Sequence, residues 1–375
     1  ADLAINGHAI EARICAENPD NGFLPATGTL FTYQKPEHST FNVADVRIDD
    51  GIREGDVISP FYDSMIAKLI VHAPTREQAL AKLDRALAQT RIVGLPNNVA
   101  FLRYIINTES FSQANLDTAL IERERDELFD QHPLALSTLA VTAITQQLAS
   151  EAAAQTAKST GADPFSKPIG FRAFSDYTRS FSLVYDEQSY NARISNWHNA
   201  NCSDSKKGSD SLSSFALVIE KEIANTEENS NINIAAQTEM VYEGQVSYNS
   251  IDAHNHTLWL EGARVNVQSW TNKETVYVFT DNGRDEITLV DIMAHVGEDS
   301  AAVGSLKSPM PGQVVAFKVA VGDTVKEGEP LAVIEAMKIE HTITAPTDGV
   351  VAELLFAAGD SVADGDELLR IDTES

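Results

Sequence analysis

Glu335–Thr344 reads EAMKIEHTIT and lies between two versions of one sequence. Upstream is SPMPGQVVAFKVAVGDTVKEGEPLAVI (308–334), and downstream is APTDGVVAELLFAAGDSVADGDELLRI (345–371). The two align without a gap. Their identities fall where backbone geometry is demanding: Pro309/Pro346, Gly312/Gly349, Gly322/Gly359, Asp323/Asp360, Val325/Val362, Gly328/Gly365, Leu331/Leu368 and Ile334/Ile371. A segment repeated in this way is one supersecondary unit used twice. Each copy reads as short strands separated by Gly-Asp and Glu-Gly or Asp-Gly turns, where glycine supplies the positive φ. Neither copy can bury a core alone. Residues 305–373 are therefore expected to form a small β-sandwich with pseudo-twofold symmetry. EAMKIEHTIT becomes a protruding hairpin, with Lys338 near its tip.

Most lysines are ordinary solvated surface groups, and that is the plain reading of Lys338. Its context points elsewhere. Ala336 is small enough for a tight turn, Met337 packs without branching, and the amine is presented clear of neighbouring bulk. This suits a lysine that another enzyme must acylate. The stretch Glu335-Ala336-Met337-Lys338-Ile339-Glu340-His341 resembles biotin carboxyl carrier domains, whose signature is Ala-Met-Lys at such a hairpin, with Ile339 where Met is more usual. The resemblance implies biotin joined covalently to Lys338 by a biotin protein ligase, with Ala336 and Met337 framing the attachment. Lipoyl domains share this fold and place lysine at the same tip, usually after Asp. A lipoylated carrier of a 2-oxo acid dehydrogenase is thus the rival.

Composition narrows the setting. With 375 residues, 43% hydrophobic and 22% charged, the chain has room for two to four domains. No apolar run approaches the roughly 18–20 residues of a membrane span. A net charge of −27 argues against nucleic acid or an anionic membrane as partner. Two cysteines, Cys15 and Cys202, are too few for a disulfide framework and fit a reducing compartment. The first residues, ADLAINGHAI, read as the inside of a domain, so a piece of a longer protein is expected. A bacterial cytoplasm is the favoured location, with the mitochondrial matrix as the alternative.

Residues 1–112 form a first block. His8–Glu17 alternates like a half-buried strand, and strand-like pieces follow at Gly28–Tyr33, Phe41–Ile48 and Ser64–His72. Arg76–Thr90 has the three- and four-residue apolar spacing of an amphipathic helix, and another is expected from Asn98. Gly7-His8-Ala9-Ile10-Glu11-Ala12-Arg13, Phe23-Leu24-Pro25, Val46-Arg47, Tyr62-Asp63-Ser64-Met65 and Gly94 with Asn98-Val99 resemble, in order and spacing, the C-terminal subdomain of biotin carboxylases. By that resemblance Arg47 matches an arginine that contacts the biotin ureido oxygen and stabilises the enolate attacking carbon dioxide. An always-charged guanidinium suits a developing oxyanion. The plainer alternative pairs Arg47 with Asp49 or Asp50. No pair of histidines has a metal-ligand spacing. The family's ATP-grasp half has no counterpart in these 375 residues. ATP, magnesium and bicarbonate are accordingly expected to bind mainly in that missing half, and this chain alone should not turn over ATP.

Residues 113–135 read as a charged connector. Ser137–Lys158 is alanine-rich with high helix propensity, and its small residues invite close packing. From Phe171 to Val290 about eight short strands follow, which with the helix suggest a β-barrel wrapped on a helix over 136–300. The strands are placed at Phe181–Tyr185, Tyr190–Ser195, Phe215–Ile223, Ile232–Met240, Thr257–Leu260, Val265–Trp270, Thr275–Thr280 and Glu286–Leu289. Trp197, Trp259 and Trp270 read as core. The expected class is a β-rich, multidomain α+β chain. Its order of parts resembles the C-terminal portion of biotin-dependent acyl-CoA carboxylase α subunits, where a helix-plus-barrel insert docks a carboxyltransferase β subunit carrying the acyl-CoA. Glu340-His341 and Asn18–Pro25 favour a 3-methylcrotonyl-CoA-type member, with geranyl-CoA and propionyl-CoA types open.

Overall fold

In the computed structural model the chain divides into two units, Ala1–Gln131 with Glu298–Ser375, and His132–Gly297. It describes residues 6–129, 131, 134–158, 178–198, 212–222, 238–291, 305–336, 339–363 and 365–372.

The first unit begins with an antiparallel sheet of β1 (His8–Cys15), β2 (Val46–Asp50) and β3 (Met65–Ala73), in the order β1-β3-β2. One face carries Ala12, Ile14, Ile48, Leu69 and Val71 into a core completed by Ala79, Leu83, Ala86 and Leu87 of α1 (Arg76–Gln89). That helix starts where the Thr75 hydroxyl accepts the Gln78 N–H at 3.3 Å, an N-cap that satisfies an otherwise orphaned donor. A second helix, α2 (Val99–Asn107), follows Asn98. Between Phe41 and Ile48 the expected strand is shorter than its pattern. Phe41 sits at φ 55° with its N–H donating to the Asp49 carboxylate at 2.8 Å, a left-handed turn that ladder pairing cannot include, so the strand begins at Val46.

In the second unit α3 (Leu136–Lys158) runs against a closed barrel. Every residue from Thr138 to Thr145 is buried, more than two turns, so this stretch is covered on all sides. Ala140 and Ala143 let strands approach. Thr142 and Thr145 return their hydroxyls to the Thr138 and Thr142 carbonyls at 2.7 and 3.0 Å, which removes the cost of burying them. The barrel strands are β4 (Thr178–Tyr185), β5 (Gln188–His198), β6 (Ser213–Glu222), β7 (Thr238–Ser250), β8 (Asn255–Leu260), β9 (Ala263–Asn272), β10 (Thr275–Phe279) and β11 (Arg284–Val290). Each pairs antiparallel with the next, and β11 returns to β4. Phe215, Leu217, Val246, Leu258 and Val278 point inward with Leu139 and Ile144 of the helix. Trp197 and Trp270 are buried as expected, while Trp259 is half-buried beside the Arg264 guanidinium. Of the strand expected at Ile232–Met240, residues 232–237 lie outside the described residues and 238–240 are strand; β7 then runs on to Ser250 through Gly244 and exposed polar positions.

A polar chain crosses this core. His256 is buried with Nδ1 3.0 Å from the Ser250 hydroxyl and Nε2 3.1 Å from that of Ser269, which donates in turn to the Gln146 side-chain carbonyl on α3. Burial, the dominant cause, holds the imidazole below its ordinary value of 6.5, with Asp252 opposing weakly and His254 adding to the fall. Because the folded state resists a proton that the unfolded chain accepts, stability from this group is present above 6.5 and declines as pH falls below it. The barrel's melting temperature should drop across that window, and His256→Gln should flatten the drop. Asp252 acts only lower, its carboxyl held near 2 by the His254 and Asn255 donors.

The duplicated segment forms two four-stranded sheets from β12 (Ser305–Lys307), β13 (Gly312–Phe317), β14 (Thr324–Val325), β15 (Pro330–Ala336), β16 (Ile339–Thr344), β17 (Gly349–Leu354), β18 (Ser361–Val362) and β19 (Glu367–Asp372). One sheet has the order β12-β19-β17-β14 and the other β16-β15-β13-β18. Exchanging equivalent strands of the two copies turns one order into the other, which is the expected twofold. The copies also interlock, since each sheet takes its edge strand from the opposite copy. The turns show why glycine and aspartate recur. Gly322 and Gly359 have φ of +95° and +97°, and their N–H groups cross to the Val351 and Val314 carbonyls at 2.8 and 2.7 Å. Asp323 and Asp360 each accept the N–H three residues earlier at 2.8 Å.

Gly312 serves another purpose. A Cβ there would lie 2.6 Å from the Glu335 carbonyl, because β13 presses on β15 just before the hairpin. Gly312→Ala should cost about 1–3 kcal/mol, the scale of overpacking a close contact. A melting curve matching that of the unsubstituted chain would contradict this packing.

Candidate functional site

Two places bring the residues picked from sequence into view. The first is the end of the β15–β16 hairpin. Its register pairs Ile334 with His341, Glu335 with Glu340 and Ala336 with Ile339. Ala336 is buried among Met310, Val314, Ile334 and Ile343, so a larger side chain would have to displace the sandwich core. Met337 and Lys338, next in sequence, lie outside the described residues. Glu335 and Glu340 are both exposed and directly opposite, an arrangement that opposes strand pairing by like-charge repulsion. Folding does not call for this pair. It presents negative charge on both sides of the Met337-Lys338 link, which suits a cationic visiting surface.

The second place is the solvent-facing side of the β1-β3-β2 sheet. The ladder sets Glu11 beside Ile70 and Arg47, and Arg13 beside Lys68 and Asp49, so two arginines and a lysine share one face. Arg47 is held hard: its Nε lies 2.8 Å and its Nη2 2.5 Å from Asp49 Oδ2. That hydrogen-bonded pair raises the guanidinium pKa further and keeps the Asp49 carboxyl below its usual range, helped by the Phe41 N–H. The plainer alternative weighed from sequence, pairing with Asp49, is thus present. Arg13 is freer. Its side chain is 68% exposed and touches Glu11 at 3.6 Å. Sequence reading passed over Arg13 although it closes the matching run Gly7–Arg13. The strand alternation that places it outward, beside the register of Arg47, was the available signal.

Other chemistry is thinner. Burial, with Glu17 nearby, pushes the Cys15 thiol up to about 11, which leaves little thiolate for nucleophilic work. Among the described residues no group of three or more His, Cys, Asp or Glu is placed to hold a metal ion. No helix among them is long and apolar enough to cross a membrane.

Comparisons with known proteins fall on the same two places. The family described as biotin carboxylase C-terminal domain matches residues 11–123, and that described as biotin-requiring enzyme matches residues 304–371. The methylcrotonoyl-CoA carboxylase subunit alpha of Dictyostelium discoideum is 32% identical over 349 residues, covering 92% of this chain and 46% of that protein. The corresponding subunit of Rattus norvegicus is 30% identical over 355 residues, covering 92% and 44%. The propionyl-CoA carboxylase alpha chain of Sus scrofa is 29% identical over 352 residues, covering 92% and 43%. The chain spans somewhat under half the length of these relatives. The chain thus holds a biotin carboxylase C-terminal domain and a biotin-requiring-enzyme domain, and over most of its length it is similar to the α subunits of biotin-dependent carboxylases.

Proposed function

We propose that the whole protein is an ATP-dependent acyl-CoA carboxylase α subunit of the methylcrotonyl-CoA type. In this reading Lys338 carries biotin, and the carboxyl group passes to an acyl-CoA on a carboxyltransferase β subunit. The observation that carries this is one polypeptide holding both a duplicated carrier frame around Glu335–Ile339 and a cationic sheet face with a biotin carboxylase match. The carrier residues fit the prosthetic group: Ala336 is buried, and the strands close on either side of the Met337-Lys338 link. Bound biotin supplies a ureido nitrogen that accepts and surrenders a carboxyl group. The protein holds it on a tether, so delivery is intramolecular. Glu335 and Glu340 present the lysine to a biotin protein ligase. ATP, magnesium and bicarbonate bind mainly in the half of the protein that precedes this chain.

On the sheet face, an arginine would hold the biotin ureido group, its guanidinium supplying the fixed positive charge that carboxyl transfer there calls for. Arg47 is the residue chosen by sequence. A second reading gives the role to Arg13, because Asp49 already occupies two nitrogens of Arg47 while Arg13 is open to a ligand. The helix and barrel of 136–300 dock the β subunit. Assaying full-length protein with its carboxyltransferase subunit against a panel of acyl-CoAs tests the assignment. ATP- and bicarbonate-dependent carboxylation fastest with 3-methylcrotonyl-CoA is expected. A higher kcat/KM for propionyl-CoA or geranyl-CoA would move the protein to that type, and no carboxylation of any acyl-CoA would overturn the reading.

A further inference from the structure

The barrel is closed, but not along the whole of β7. Its ladder with β6 extends from Tyr248 down to Thr238, whereas its ladder with β8 begins only at Val246. Thr238–Gln245 is therefore extended backbone paired on one edge, with no strand on the other among the described residues. Exposed N–H and C=O groups in such a row are a template for one more strand. Proteins usually shield such an edge, yet Met240 and Val241 on it are 62% and 47% exposed. A bulge opposite Ile219 and Glu220 leaves Val241 without a ladder partner. The Tyr242 hydroxyl is buried and has no hydrogen-bond partner among the described residues, although burial raises its pKa and so favours the protonated donor.

The geometry points to this edge as a docking site for an extended, basic segment of the carboxyltransferase subunit, joining as an added strand beside β7. Charge selects the occupant. Glu239 and Glu243 lie on the edge strand, Glu239 opposite Lys221 and Glu243 opposite Val218, while on the strand behind it Glu220 already lies 3.6 Å from Arg193. A second copy of this chain laid antiparallel on the same edge would bring its Glu239 and Glu243 against those of the first, a like-charge contact that opposes pairing. A strand bearing Lys or Arg at alternate positions gains from the same carboxylates, and its apolar positions cover Met240 and Val241. Backbone pairing would supply affinity and the side chains selectivity, as in strand addition generally.

This site rests on the reading of the helix–barrel unit as the docking part, and the test separates the two. Full-length protein and its carboxyltransferase subunit are co-expressed, and assembly is measured by sedimentation with and without Glu239→Gln and Glu243→Lys together, glutamine being chosen at 239 because Lys221 lies opposite. The double variant should assemble at least tenfold more weakly with an unchanged melting temperature, and wild-type assembly should weaken with salt. Amides of 238–245 should exchange more slowly in the wild-type complex than in the free chain. Should the wild-type proteins fail to assemble, the docking reading itself falls. If both versions assemble equally and those amides exchange as fast as in the free chain, docking stands and the edge proposal is overturned. Should the double variant melt early, amide exchange in the wild-type complex decides alone.

Discussion

Lys338→Arg in the full-length protein is expected to abolish carboxyl transfer to acyl-CoA while leaving ATP-dependent carboxylation of free biotin near its original rate. Arginine keeps the positive charge but cannot be acylated in lysine's place, so the carrier frame folds without its cargo. The loss is large because the tether replaces diffusion: a carrier that visits both sites raises effective concentration without any new contact, and an empty one contributes nothing. Melting should not change, since the folding determinants of the hairpin lie elsewhere, in buried Ala336 and in the press of Gly312 against the Glu335 carbonyl. Acyl-CoA carboxylation surviving in this variant would remove Lys338 from the mechanism.

The second large effect is expected on the sheet face. If Arg47 holds the charge on the ureido oxygen, Arg47→Gln should slow carboxylation of free biotin by ~10²-fold or more, the scale for removing one oxyanion donor. The fall should appear in kcat, because the interaction strengthens in the transition state. Bicarbonate-dependent ATP cleavage should suffer less. Arg13→Gln separates the two readings. A loss of this size from Arg13→Gln, with Arg47→Gln lowering only the melting temperature, assigns the role to Arg13 and leaves Arg47 as the partner of Asp49. Near-normal kcat in both variants would take the site off this face.

How far these sites were legible in sequence depended on how local the cause was. The carrier was read almost whole, because its twofold is written as identities and its turns demand Gly322 and Gly359 at positive φ. What the repeat could not reveal was the exchange of edge strands β14 and β18 between copies, which only long-range pairing decides. In the barrel, strands with strict alternation, such as Phe215, Leu217 and Ile219, were placed closely. The continuation of β7 past Met240 was missed because Gly244 and its exposed polar neighbours carry no period-two signal. The helix was recognised from composition, but its enclosure on all sides followed from burial of every residue from Thr138 to Thr145. The arginines show a different limit. Motif matching led to Arg47, yet which guanidinium is free depends on the bidentate hold of Asp49, a side-chain contact that spacing alone does not reveal.

Intact mass distinguishes a chain that carries biotin on Lys338 from one that carries lipoate or nothing there. The chain is expressed with a biotin protein ligase, and the product is weighed beside its Lys338→Arg counterpart. The added mass of one biotinyl group is expected on the first and none on the second. An increment matching lipoate, or a biotin increment that persists after Lys338→Arg, would contradict it.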